Sequence, residues 1–191
     1  MRAIVWIGIG VAACVALGVA ASVAARFSDG PIAILAGGPL VAGPLVQGPE
    51  PVWSFARDLP TIEFQLLSPP RSRTTWILES GGKIYVPCGY MGTTLGRLWK
   101  HWPIEAERDG RAIARIAGKR YERQLVRVRD PALFEVLARE LHRKYGAAAT
   151  AQAIEDGDLW LFELAPRPGS GSESQLRRIR STASRGPART S

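Results

Sequence analysis

A chain of 191 residues with 46% apolar content has room for one ordinary domain and a terminal extension, and not for several domains. The net charge is +8, and it is unevenly spread: Arg167, Arg177, Arg178, Arg180, Arg185 and Arg189 face only Glu173 in residues 167–191, leaving the rest mildly basic. With Cys14 and Cys88 as the two cysteines, and Cys14 inside an apolar leader, a disulfide framework and a Cys/His metal site are both excluded.

Residues 3–25 contain no charged side chain. As a helix they would extend roughly 34 Å at about 1.5 Å per residue, enough for the hydrocarbon core of a bilayer. The segment 1–27 is therefore expected to be a transmembrane anchor or signal segment. A retained single-pass anchor is the first reading, because the run is longer than the apolar part of a usual signal peptide. Signal cleavage after Ser22-Val23-Ala24, giving a secreted domain, is the second. A lipoprotein signal ending at Val11-Ala12-Ala13-Cys14 is the third. Arg2 and the terminal amine make the start more basic than the Arg26/Asp29 side, which favours a cytoplasmic N-terminus with the domain outside.

Residues 28–52 are rich in Gly and Pro. Gly38-Pro39-Leu40-Val41-Ala42 is echoed by Gly43-Pro44-Leu45-Val46-Gln47, and Gly48-Pro49 opens a third copy. Proline lacks a donor and glycine is entropically costly, so neither helix nor ladder is expected. An extended spacer is the simpler expectation. The recurring Leu and Val leave a second one open, a segment lying along the domain surface.

The domain is expected over residues 53–167. Ile62, Phe64 and Leu66 alternate with Glu63 and Gln65, the period of a half-buried strand. The next strand is read continuously through Arg73, Thr74, Thr75, Trp76, Ile77, Leu78 and Glu79. Gly81-Gly82 and Asp109-Gly110 are read as hairpin turns, with Gly118-Lys119 a third candidate. Thr93 is a candidate N-cap for a short helix with Leu95, Leu98, Trp99 and Trp102 on one stripe, stopped by Pro103. Residues 104–108 are read as strand, with Glu105 and Glu107 on one face. A long strand follows, placing Tyr121, Arg123, Leu125 and Arg127 opposite Gln124, Val126 and Val128. Asp130-Pro131 starts a helix whose apolar stripe is Leu133, Leu137, Leu141 and Tyr145. His142, Arg143 and Lys144 sit at its negative end, and Gly146 stops it. A last strand covers residues 159–164. Residues 168–191 have the composition of a disordered, Arg-rich tail.

No nucleophile motif and no glycine-rich phosphate loop is present. Two basic constellations stand out: Arg71, Arg73, Thr74 and Thr75 at a strand start, and Arg97, Lys100 and His101 interleaved with Trp99 and Trp102. Guanidinium, ammonium and hydroxyl donors suit a phosphate or carboxylate, and flat aromatics suit a heterocycle. A basic rim around core tryptophans is the plainer alternative.

The run Arg73-Thr74-Thr75-Trp76 leading into Gly82-Lys83-Ile84-Tyr85-Val86-Pro87 resembles the split β-barrel flavin-binding superfamily. That group holds the pyridoxamine-phosphate-oxidase-like and deazaflavin-dependent nitroreductase-like proteins. Lys100-His101-Trp102-Pro103, Gly118-Lys119-Arg120-Tyr121-Glu122, Lys144-Tyr145-Gly146 and Trp160-Leu161-Phe162 carry the rest of the likeness. It implies an α+β fold: a six- or seven-stranded antiparallel split β-barrel with two short-to-medium helices, here behind one transmembrane helix. It also implies FMN or a deazaflavin as cofactor, with Arg73, Thr74, Thr75, Trp76, Lys100, His101 and Trp102 as contacts. An oxidoreductase reducing a small oxidised substrate, often a homodimer, is the activity it points to. The sequence departs from the family in reading His101-Trp102-Pro103 where the deazaflavin enzymes place His-Pro before an aromatic. A non-catalytic, membrane-tethered binding or assembly module of the same fold is the alternative. Polyanion or lipid binding through the basic tail is a third, with no specific nucleic-acid motif present.

Overall fold

The structure, a computed structural model, describes residues 2–33, 35–92 and 101–168. The candidate helix at residues 93–100, including Lys100, and the Arg-rich tail lie outside the described residues. Helix α1 (Arg2–Ala25) carries no charged residue after Arg2, and its Ile4–Ala25 stretch is long and apolar enough to cross a membrane. A 3-10 turn (Trp53–Arg57) opens the domain proper.

Seven strands follow, all paired antiparallel: β1 (Thr61–Leu66), β2 (Ser72–Trp76), β3 (Leu78–Ser80), β4 (Lys83–Cys88), β5 (Arg111–Ile116), β6 (Lys119–Arg127) and β7 (Trp160–Pro166). Their order in the sheet is β2-β1-β5-β6-β7-β4-β3. The two edge strands, β2 and β3, are consecutive in the chain and separated by Ile77 alone. The sheet therefore curls until one kinked stretch of chain serves both edges, pairing first with β1 and then with β4. The single strand expected through residues 73–79 is broken at that point. Closure of this kind covers edges that would otherwise invite pairing with other chains.

The barrel core is formed by the inward rows, among them Ile62, Phe64, Leu66, Ile84, Val86, Ala112, Ala114, Ile116 and Phe162. A second apolar cluster lies outside the wall, where helix α3 (Pro131–Tyr145) packs Phe134, Leu137 and Leu141 against Leu78, Tyr85 and Leu161. Both ends of α3 follow its local chemistry. The Asp130 carboxylate accepts the Ala132 N–H at 3.0 Å, and Gly146 takes the left-handed conformation (φ 63°). Helix α4 (Ala151–Glu155) is capped by Thr150, whose hydroxyl accepts the Ala153 N–H.

Two local expectations are corrected. Residues 102–108 form helix α2 (Trp102–Arg108), not a strand. Proline ends a helix that reaches it from the N-terminal side, but it equally favours the first turn of one that starts there, and Pro103 does the second. Asp109-Gly110 is then a helix-to-strand junction and not a hairpin, with Gly110 buried against the Leu125 carbonyl. The Gly81-Gly82 hairpin is present with both residues at positive φ, whereas the β5–β6 turn falls on Ala117-Gly118, one residue early.

The Gly/Pro segment does not hang free as a spacer. Its Leu40 is buried, with the Leu40 N–H donating to the Gln65 side chain of β1. Gly37 exchanges backbone bonds with Ser72 at 2.9 and 3.2 Å, Val46 donates to the Arg120 carbonyl, and Glu50 pairs with Arg123. The glycines permit this approach: a Cβ on Gly37 would lie 1.8 Å from the Gly30 carbonyl oxygen.

Candidate functional site

Cross-strand register sets which way each candidate points. On β2, Arg73 lies opposite Phe64 and Thr75 opposite Ile62, so both face the barrel interior with their partners. Ser72, Thr74 and Trp76 face outward. Thr74 is exposed, Thr75 half-buried and Trp76 43% exposed.

The Arg73 guanidinium enters the barrel between two rings, its Cζ 5.6 Å from the Phe64 centroid and 5.8 Å from that of Trp102. Among the described residues its buried Nε has no hydrogen-bond partner, and neither has that of Arg71, two residues earlier in the chain. Among the described residues no carboxylate reaches ion-pair distance of Arg73. Burial pulls its pKa down to about 10, with Arg71 adding to the effect and Glu105, at longer range, opposing it. A cation taken out of water without a counter-ion is unfavourable, and an arriving anion would relieve it.

Next to this stretch of β2 lies an open groove of about 760 Å³. Thr74, Thr75 and Trp76 form one wall, residues 87, 89 and 90 at the end of β4 a second, and Ala147, Ala148, Ala149 and Ala153 around α4 a third. Asp158 is the single carboxylate among its described lining residues. The floor is braced from behind, because Trp76 stacks on Tyr145 with centroids 4.4 Å apart and planes 6° from parallel. Tyr90, 74% exposed at the lip, holds φ at 65°, an unusual conformation for a residue with a bulky side chain.

Three of the sequence candidates thus meet in the groove: Thr74, Thr75 and Trp76. Arg73 and Trp102 meet each other inside the barrel, where Trp102 is buried against Phe64 and Phe162. His101 is exposed ahead of α2, with its carbonyl accepting from Ile104 and Glu105. Tyr90, Asp158 and the alanine wall escaped the sequence reading. The alanine run reads as mere connection, and the only hint it offers is a lack of bulk.

No family model matches the chain, and no curated protein matches it. Among solved structures, the crystal structure of the conserved hypothetical protein Rv2991 from Mycobacterium tuberculosis is similar at 11% identity and a TM-score of 0.44, covering 64% of this chain and 82% of that one.

Proposed function

We propose that this chain is a membrane-anchored split-barrel protein that binds an anionic, planar heteroaromatic ligand of the flavin or deazaflavin type. The observation that carries the reading is the pair Arg71 and Arg73, whose buried Nε atoms find no acceptor among the described residues, in the stretch that leads into the aromatic and hydroxyl-bearing wall of the groove. Thr75 shares the inward side of β2 with Arg73 and also lines the groove, so it is the residue that links the arginines to the ring wall. Arg71 and Arg73 would hold the phosphate, while Thr74, Thr75 and Trp76 would orient the ring. When bound, such a group supplies two-electron transfer, a chemistry in which the protein's part is mainly positioning.

A second reading is favoured by the groove's composition. Its described lining contains no His, no Cys and one carboxylate, so a module that binds without turnover fits it as well. Titrating the full chain in detergent with flavin mononucleotide and with a deazaflavin, following absorbance and fluorescence, tests both. Saturable binding of either, lost in Arg73→Met, supports the proposal, and reduction of a nitroaromatic by the loaded protein separates enzyme from module. Failure of both compounds to bind at millimolar concentration sinks it. Arg73→Met also has an expected signature without ligand. Replacing an uncompensated buried cation by an apolar side chain raises the melting temperature, while the stabilisation by added ligand disappears.

A further inference from the structure

The chain is tied down immediately after α1. Ala25 is fully buried, and the Ser28 hydroxyl lies 2.7 Å from the carbonyl oxygens of Ala25 and Gly30. The Gly38 N–H donates to the Ser28 carbonyl at 3.1 Å. The Asp29 carboxylate accepts the N–H groups of Val41 and Ala42, at 2.7 and 3.2 Å, and pairs with Arg115 of β5 at 2.8 Å. Residues 26–33 and 35–42 are thereby held as a knot between the end of α1 and the barrel strands β1, β2 and β5.

This knot turns large apolar side chains outward. Phe27 is 86% exposed, Ile32 50% and Val41 63%. A pinned loop gains nothing in water from showing three such groups, and large apolar side chains exposed together on one pinned segment mark an interaction site. Covalent geometry identifies the partner. Phe27 is two residues past the end of α1, about 3 Å along the axis at ~1.5 Å per residue, and Asp29 brings Val41 back to the same place. With α1 across a bilayer, that place is the headgroup layer, where aromatic side chains and arginines are enriched.

We propose that residues 26–33 and 35–42 form a collar lying in the lipid interface where α1 leaves the bilayer, with Phe27, Ile32 and Val41 at the headgroup–acyl boundary and Arg26 among lipid phosphates. The inference rests on α1 being a membrane span. It has a consequence for the groove: the collar holds β2 at Ser72, and Trp76 lies four residues further, about 13 Å along the strand. The protein is thus fixed on the membrane with its groove set away from the collar.

The test uses the full chain with Cys14→Ala, in nanodiscs of phosphatidylcholine and phosphatidylglycerol, carrying a nitroxide at Phe27→Cys, Ile32→Cys or Val41→Cys. A label at Val15→Cys reports the span, and one at Val136→Cys on α3 reports the surface beside Arg57 and Glu79. Accessibility to oxygen relative to a water-soluble nickel chelate should rank Val15 first, the three collar positions next and Val136 last. A lipid-like value at Val15 with Ile32 and Val41 equal to Val136 overturns the collar while keeping the anchor, even with Phe27 intermediate. A water-like value at Val15 overturns the anchor, and the collar with it.

Discussion

At the scale of single residues, the closure of the barrel depends on how the break at Ile77 is satisfied. Its peptide groups leave both ladders, and an unpaired buried backbone group is costly. The Tyr145 hydroxyl accepts the Ile77 N–H at 3.0 Å and donates to the Ile77 or Pro60 carbonyl, both at 2.8 Å. Lys144 Nζ donates to the carbonyls of Ile77 and Ala56 at 2.8 and 3.0 Å. Burial lowers the Lys144 pKa and raises that of Tyr145, so both bring polar heads into a poorly solvated seam. Tyr145→Phe keeps the stack on Trp76 but leaves the Ile77 N–H without its acceptor, a loss of about 1–3 kcal/mol. Urea unfolding in detergent should show that loss, and an unchanged midpoint would assign the closure to packing alone. None of this was legible beforehand, since Tyr145 reads simply as the last apolar position of α3 and its partner is 68 residues away. The groove is similar. Thr74, Thr75 and Trp76 are neighbours in sequence, but the turn of Arg73 into the barrel depends on its pairing with Phe64.

At the scale of elements, legibility tracks how local the determinants are. α3 was readable end to end, because Asp130, Pro131 and Gly146 specify its boundaries within a few residues. β1 and β6 were readable because one face is buried and alternation shows it. α2 was not, because Pro103 carries opposite meanings depending on which side the helix lies. The strap of residues 28–52 is the clearest case. Its Gly-Pro units have the composition of a free linker, yet the glycines serve close approach to the barrel. Gly37→Val places its added carbons against the Gly30 carbonyl, where no flexible side chain can yield. The expected outcome is release of the strap with a loss of about 1–3 kcal/mol. Limited proteolysis should then cut within residues 28–52 while the fragment beginning near Trp53 survives. A cleavage pattern identical to the unmodified protein would mean that the strap shifts without detaching.

At the scale of the whole molecule, a short electrostatic clasp joins the end of α1 to the barrel. Asp29 faces the N–H groups of Val41 and Ala42 and the Arg115 guanidinium, which also pairs with Glu63 at 2.5 Å. Burial works to raise the Asp29 pKa, but the Val41 N–H and the Arg115 guanidinium outweigh it and hold the carboxyl below its ordinary value of 3.8. A carboxyl depressed in the folded state adds stability that is complete above its unfolded pKa. That contribution is lost as pH falls through the lower, folded value. The clasp is therefore intact at neutral pH and opens only in strong acid, at pH values below 3.8. Asp29→Asn removes the titrating group and should weaken the clasp at every pH where the carboxylate is charged. Hydrogen exchange at the Val41 and Ala42 amides, compared between the two proteins at matched pH, reads this directly. Protection should differ at pH 6 and converge as the medium is taken into strong acid, because a protonated carboxyl and an asparagine amide are both neutral and offer no charge to Arg115. A difference that persists undiminished into acid would mean that hydrogen-bond geometry, and not charge, holds the end of α1 to the barrel.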